Sequence, residues 1–378
     1  MNEFIERLKS DRLLQIIIIG LLMIFLIFLF ILRPIFFSSK KGKYNCYRET
    51  INIWLPFSEY KVYPYFEPFS RYCVNFEITT KSLEEIKKDL ILALAKGDYP
   101  DVVFIDSDFL NQNKDFFSTS TAVFVDSLIA FYNQDILNFF NLSQPKTLDD
   151  LNNFIKEIRE YRQDFYPLAL GTKEIRNRKE IILSLMTLAD NYKNKFNLKN
   201  NFLSAIEIYL SFSNPQSDFF SYVEGAGDDL LNFANEKTAL YIGFYQDKKE
   251  ILEINPRINI SYGLLPLNTF PPKGRVYTRI FYLAQLKKSK SKAAKDFIQW
   301  FSRYELEKFS QDFDLVPFVR NIDLPEDKKM VLNTAINFGE TFDFFDKEKI
   351  FKNIDRFLDA YKNETEFNRI WNEIYYSL

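Results

Sequence analysis

AKGDYPDVVFIDSD, residues 95–108, is the stretch that decides how this chain folds. Just before it, Leu83, Ile86, Leu90, Ile91, Leu92, Leu94 and Ala95 recur at spacings that build one apolar helical face. Ser82 is the expected N-cap of that helix, and Glu85 completes a capping box. Gly97 stands where the helix end calls for a left-handed residue, and Asp98 and Pro100 supply turn chemistry. Val102, Val103, Phe104 and Ile105 form a continuous apolar run, which suits a strand covered on both faces. Asp106, Ser107 and Asp108 follow at the carboxyl end of that strand, where open α/β sheets collect ligands. For Asp106 and Ser107 two readings stand side by side: ligand contact, or the cap of a next short helix.

Upstream, residues 51–56 (INIWLP) read as a first strand stopped by proline, and residues 74–80 (VNFEITT) as a second. Residues 58–72 are aromatic-rich and carry a short helix. Alternation of strands with helices predicts an α/β architecture with a mainly parallel sheet and right-handed crossovers. Cys46 precedes the first strand and Cys73 the second, so neighbouring parallel strands would place both at one sheet edge. Spacing leaves a disulfide and two unrelated buried thiols equally open, because it does not fix the Cα separation.

Downstream, residues 122–135 are mostly apolar, interrupted by Asp126 and Ser127. Thr147 and Asp150 form a second capping box ahead of a helix whose buried face is Leu148, Leu151, Phe154, Ile155 and Ile158. Residues 166–171, 238–243, 262–266 and 275–286 read as strands; residues 174–189, 203–212, 289–301 and 304–313 read as helices. From residue 326 onward the chain is helical, and its stripe of Phe351, Ile354, Phe357, Leu358 and Tyr361 is core.

With 378 residues, 47% of them hydrophobic, the chain can build two domains or one bilobal unit. A net charge of −2 argues against nucleic acid as a partner. The 0 histidines remove Ser–His and Cys–His nucleophile pairs and the usual zinc sites, so no metal or cofactor is expected. Residues 13–32 are apolar except for Gln15 and Gly20, long enough to cross a bilayer, and no small-residue cleavage site follows. They read as an uncleaved signal anchor between a short N-terminus, residues 1–12, and a basic linker, residues 33–43. Basic residues flank the anchor on both sides, so charge alone does not choose its orientation.

KGDYPDVVF, AFYNQDI followed by PKTLDDLNNFIKEI, YPLALG, NEKTALYIGFY, YGLLPLN and SKSKAAKDFIQWFSRYELEKFSQDFDLVPF follow one another before a helical C-terminus. This order resembles family 1 of the extracellular solute-binding proteins of ABC importers, which includes maltose- and oligosaccharide-binding proteins. The resemblance covers residues 51–378; few glycines, extra aromatics and the membrane anchor depart from the family pattern. It implies the type II periplasmic-binding-protein fold, two α/β lobes with a hinge and an interlobe cleft. Residues 44–131 and 274–314 would form lobe 1, and residues 132–273 and 315–378 lobe 2. It also implies a main domain outside the cytoplasmic membrane, which favours a Cys46–Cys73 bridge.

By the same resemblance, the cleft would bind a carbohydrate or similar polar solute for delivery to ABC permease subunits, without catalysis. Matching motif to motif, the ligand residues would be Asp106 and Ser107, Asp126, Phe244 and Tyr245, Glu59 and Tyr60, and Glu340, Phe342 and Phe345. Aromatic faces cover sugar C–H faces and carboxylates accept hydroxyl hydrogen bonds; for each aromatic, lobe packing is the competing use. Two other functions fit the same chain: a tethered sensor or adhesin subunit without transport, and a hydrolase in which Asp106, Asp126 and Glu340 converge.

Overall fold

A computed structural model describes residues 46–161, 165–189, 191–266, 274–319 and 322–375. The expected N-terminus, anchor and linker at 1–12, 13–32 and 33–43 lie outside the described residues. Among the described residues no helix is long and apolar enough to cross a membrane.

Ten strands are described: β1 (Glu49–Leu55), β2 (Val74–Thr80), β3 (Val102–Asp106), β4 (Phe117–Asn133), β5 (Tyr166–Leu168), β6 (Thr238–Phe244), β7 (Ile260–Gly263), β8 (Val276–Leu286), β9 (Val316–Pro317) and β10 (Gly339–Glu340). Their order is β2-β1-β3-β8-β4-β6-β5, with β7 and β9 on β4 and β10 on β8. The expected mainly parallel sheet is a mixed one. β1 pairs in parallel with β2 and β3, and β5 with β6, but β4 and β8 run antiparallel to each other and to β6 and β3 respectively. The long strand β4 causes the difference. Its first residues, FSTST, look like a polar loop, yet they alternate across the sheet and pair with the end of β8.

The local signals hold. Helix Leu83–Lys96 starts on the Ser82–Glu85 capping box and ends on Gly97 at φ +83°. Thr147 and Asp150 cap helix Leu148–Tyr161 reciprocally, Asp150 N–H donating to Thr147 Oγ1 and Thr147 N–H to Asp150 Oδ2. The C-terminal part divides into helices Glu326–Phe338, Lys347–Ala360 and Glu364–Tyr375.

The core falls into two halves. In one, Ile51, Ile53, Phe66, Phe104, Phe124, Phe281, Phe297, Phe301 and Phe309 pack together, while Ile86, Leu90, Val103 and Ile105 close the other sheet face. In the second, Leu128, Leu168, Ile206, Leu240, Phe357 and Trp371 form one cluster, and Ile129, Phe131, Tyr241, Tyr245 and Val331 form another. Phenylalanine is abundant because it fills these clusters edge to face: Phe309 alone meets Phe57, Tyr65 and Phe301 at 5.1–5.4 Å between ring centroids. β4 and β8 pass from one half to the other side by side, and the segment leading into β9 passes beside them.

Cys46 and Cys73 are joined in a disulfide, with their Cα atoms 5.0 Å apart, at the edge where Glu49 of β1 pairs with Val74 of β2. Opening it by Cys46→Ser with Cys73→Ser should lower unfolding free energy by about 3.5 kcal/mol, the loop-closure value for a sequence separation of 27. Urea melts of the two forms would check this; superimposable curves would mean the bridge is energetically idle.

Candidate functional site

A cavity of about 460 Å³ opens between the two halves. One wall comes from the carboxyl ends of β1 and β3 and the adjoining faces of β4 and β8: Phe57, Phe104, Asp106, Phe124 and Phe281. The other comes from the second half: Glu180, Gln246, Tyr277, Arg279, Glu348 and Phe351. Phe104 and Phe281 stack at 5.5 Å and present aromatic surface to the cavity, while charged groups ring it.

Arg279 is the best-held of those charges. It sits on β8 directly across from Asp126 on β4. Its guanidinium donates to Glu180 Oε1 at 2.9 Å and lies 3.6 Å from the centroid of the Phe244 ring. A planar fork carries five N–H donors, so this pairing leaves donors for a bound solute. Its side chain is 38% exposed, so the cation is pinned on one side and open on the other.

The sequence candidates distribute unevenly around this cavity. Asp106 lines it and takes the capping role: Oδ1 accepts from Phe109 N–H at 2.9 Å as the cap of helix Ser107–Gln112, and Oδ2 pairs with Lys87 at 2.6 Å. Ser107 is buried, its hydroxyl 3.4 Å from Asp108, and Asp108 rather than Ser107 faces the cavity. Asp126 lies beneath the wall, 2% exposed, its Oδ1 accepting from Tyr245 N–H at 2.8 Å. Phe244 is the platform under Arg279 rather than a stacking face, and Tyr245 is core, its hydroxyl donating to Asp327 at 2.7 Å.

The remaining candidates sit elsewhere. Glu59 and Tyr60 begin helix Glu59–Phe66 on the surface, Tyr60 being 80% exposed, and neither lines this cavity. Glu340 is taken by Tyr192 at 2.7 Å and Lys193 at 2.6 Å. Phe342 is fully buried and stacks on Tyr277 at 5.7 Å; with Phe345 it borders a neighbouring cavity of about 640 Å³. The motif-based placement fails for Tyr245, Glu340 and Tyr60 because motif position locates a strand end but not the direction of a side chain. Arg279, Glu180, Tyr277, Glu348, Phe351 and Asp108 were missed. Arg279 had a legible signal, as the single charged residue in VYTRIFYLAQL.

Burial pushes the Asp126 carboxyl up to about 7, with Arg279 pulling it down and Asp247 pushing it further up. In the unfolded chain this group ionises near 3.8, so between the two values the folded chain keeps a proton that the unfolded chain has lost. Its contribution to stability therefore falls as pH climbs from about 4 to about 7. Asp126→Asn keeps an acceptor for Tyr245 N–H and does not titrate. Its stability relative to the parent should rise across that window by on the order of 4 kcal/mol, measured by denaturant melts at each pH. A difference that stays flat with pH would mean Asp126 is ionised throughout.

Among the described residues no group of three or more His, Cys, Asp or Glu side chains could hold a metal ion. No family model matches the chain, and no curated protein matches it. Solved structures do match. An extracellular solute-binding protein from Staphylococcus aureus in complex with maltose aligns with a TM-score of 0.66 at 11% identity, over 87% of this chain and 97% of that one. A cyclo/maltodextrin-binding protein complexed with maltotetraose aligns with a TM-score of 0.68 at 13% identity, over 90% and 98%. An ABC transporter solute-binding protein from Thermotoga lettingae bound with α-D-tagatose aligns with a TM-score of 0.59 at 14% identity, over 86% and 98%. With nearly the full length of each aligned to it, this chain has the fold of the extracellular solute-binding proteins.

Proposed function

We propose that this chain is the solute-binding component of an ABC importer, capturing a carbohydrate or similar polar solute in the cavity between its halves. The observation that carries this reading is the cavity itself. Aromatic faces from one half oppose hydrogen-bonding groups from the other, at strand ends where α/β folds place ligands. The shared fold with solute-binding proteins supports it. In this reading residues 44–131 with 274–314 supply most of one lobe and residues 132–273 with 315–378 most of the other, while the end of β4 from Leu128 onward and the start of β8 through Arg279 go with the second lobe, and bending of the β4–β8 pair where it crosses closes the lobes on the solute. Residues 13–32 anchor the chain, with the main domain on the extracytoplasmic side. The Cys46–Cys73 bridge supports that side, since disulfides persist in oxidising compartments. Tethering would raise the local concentration of loaded protein at the permease.

Binding is favoured over hydrolysis because the three carboxylates considered for an acid–base pair are occupied separately: Asp106 by Lys87, Asp126 by Tyr245 N–H, Glu340 by Lys193. Titration calorimetry of the full chain against mono- and oligosaccharides tests the proposal. Saturable binding by at least one sugar is expected, and heat-free titrations across a broad panel would overturn it.

A further inference from the structure

The cavity described above and its larger neighbour share Glu84, Lys87, Asp108 and Glu348 in their walls. Between them, the two halves touch through charge. Asp108, in the first half, accepts from Lys347 of the second on Oδ1 and from the Tyr277 hydroxyl on Oδ2 at 3.0 Å. Lys347 is only 3% exposed. It also donates to the Thr341 carbonyl, and its ammonium lies 5.1 Å from the Tyr277 ring centroid. One turn further along helix Ser107–Gln112, Asn111 donates to Asp343 at 2.6 Å, reinforcing the same contact.

The two chambers differ in lining. Both carry aromatic and charged groups, the inner one Phe57, Phe104, Phe281 and Phe351 with Arg279 and Glu180, the outer one Phe109, Phe342 and Phe345 with the more numerous polar side chains of Asn111, Gln112, Asp343, Asp346, Lys349 and Lys352. We propose that the Asp108–Lys347 bridge is a partition that sets the length of solute the cleft takes. This rests on the solute-binding reading above. A solute that stays within the inner chamber lets the halves close with the bridge re-formed. A longer one must lie where Asp108 meets Lys347, and closure over it costs a nearly buried ammonium its close carboxylate, leaving it only the Thr341 carbonyl and the more distant Asp343 carboxylate at 3.8 Å, which is unfavourable. The inner volume of about 460 Å³ is toward the small end for small-molecule pockets, roughly 300–1,000 Å³, and matches a short solute.

The test is equilibrium binding of linear gluco-, manno- and xylo-oligosaccharides, from disaccharide to hexasaccharide, to the full chain and to Lys347→Met and Asp108→Asn. The parent should take the short members and bind the long ones at least ten-fold more weakly; both variants should gain about ten-fold or more for the long members. Equal affinity across lengths in the parent, or no gain in either variant, overturns the partition. A second measurement needs no ligand. Spin labels on cysteines placed at the exposed positions Lys96 and Lys362 report the distance between halves, the native cysteines being bonded to each other. Both variants should lengthen that distance, and the charge-swapped pair Asp108→Lys with Lys347→Asp should shorten it again. If no sugar binds any form, the carbohydrate reading falls and this distance alone decides: a longer distance in the variants keeps the bridge as the closure between the chambers, and an unchanged one overturns it.

Discussion

Arg279→Ala should weaken solute binding by roughly 30- to 1,000-fold, a loss of about 2–4 kcal/mol typical of truncating one member of a desolvated charge pair. Arg279 is the cation in the cavity wall that is braced on three sides: by Glu180, by the Phe244 ring and by Asp126 across the strand pair. In the proposed binding mode removing it takes away solute contacts, and it also leaves Glu180 without its partner. Arg279→Lys separates charge from shape. It keeps the positive charge but loses the planar fork, so it should recover only part of the affinity. Combining Arg279→Ala with Asp126→Asn should restore stability without restoring binding, because it removes the buried carboxylate that the guanidinium compensates. Calorimetric titration with whichever sugar saturates the parent, beside a denaturant melt of each variant, gives both readouts. Parent-like affinity in Arg279→Ala would place the solute elsewhere.

Tyr245→Ala should destabilise the fold by about 3–5 kcal/mol, the range for truncating a large buried aromatic side chain. Tyr245 packs in the cluster with Phe131, Tyr241 and Val331, and its hydroxyl donates to Asp327, which also pairs with Lys248 at 2.6 Å. Its phenol is held far above the ordinary range, first by burial and then by the bond to Asp327, so it remains a neutral donor at any working pH. Tyr245→Phe keeps the ring and loses one hydrogen bond to a charged group, costing about 1.5–3 kcal/mol. Thermal melts of the two variants rank these contributions. A Tyr245→Ala variant that melts with the parent but fails to bind sugar would return this residue to the cleft.

These two residues show how far a sequence can be read. Elements set by neighbours in the chain were legible: the Ser82–Glu85 box, the Gly97 stop and the buried run of β3 all depend on residues within a few positions. The antiparallel core of the sheet was not. FSTST alternates over only five residues, and its partner in β8 lies about 165 residues away. The site was less legible still. Arg279, Glu180 and Lys347 come from three distant segments, and each matters only through a partner that folding brings to it. That Asp106 would stand at a strand end bordering the cavity was legible because a strand end is a local feature. Tyr245 was misplaced because whether an aromatic at a strand end turns into the core or out into a cleft depends on packing around it.

The disulfide also fixes where a pull on the chain is felt. Cys46 and Cys73 clamp β1 to β2 at their amino ends, whereas the cavity borders the other end of β1 through Phe57. The seven residues of β1 separate the two by on the order of 20 Å. Load arriving through residues before Cys46 therefore enters a covalent staple and spreads as shear along a parallel ladder of seven paired positions. Under the proposed tethering, the halves would stay free to open and shut while the residues before Cys46 are under tension, so capture would be mechanically insulated from attachment.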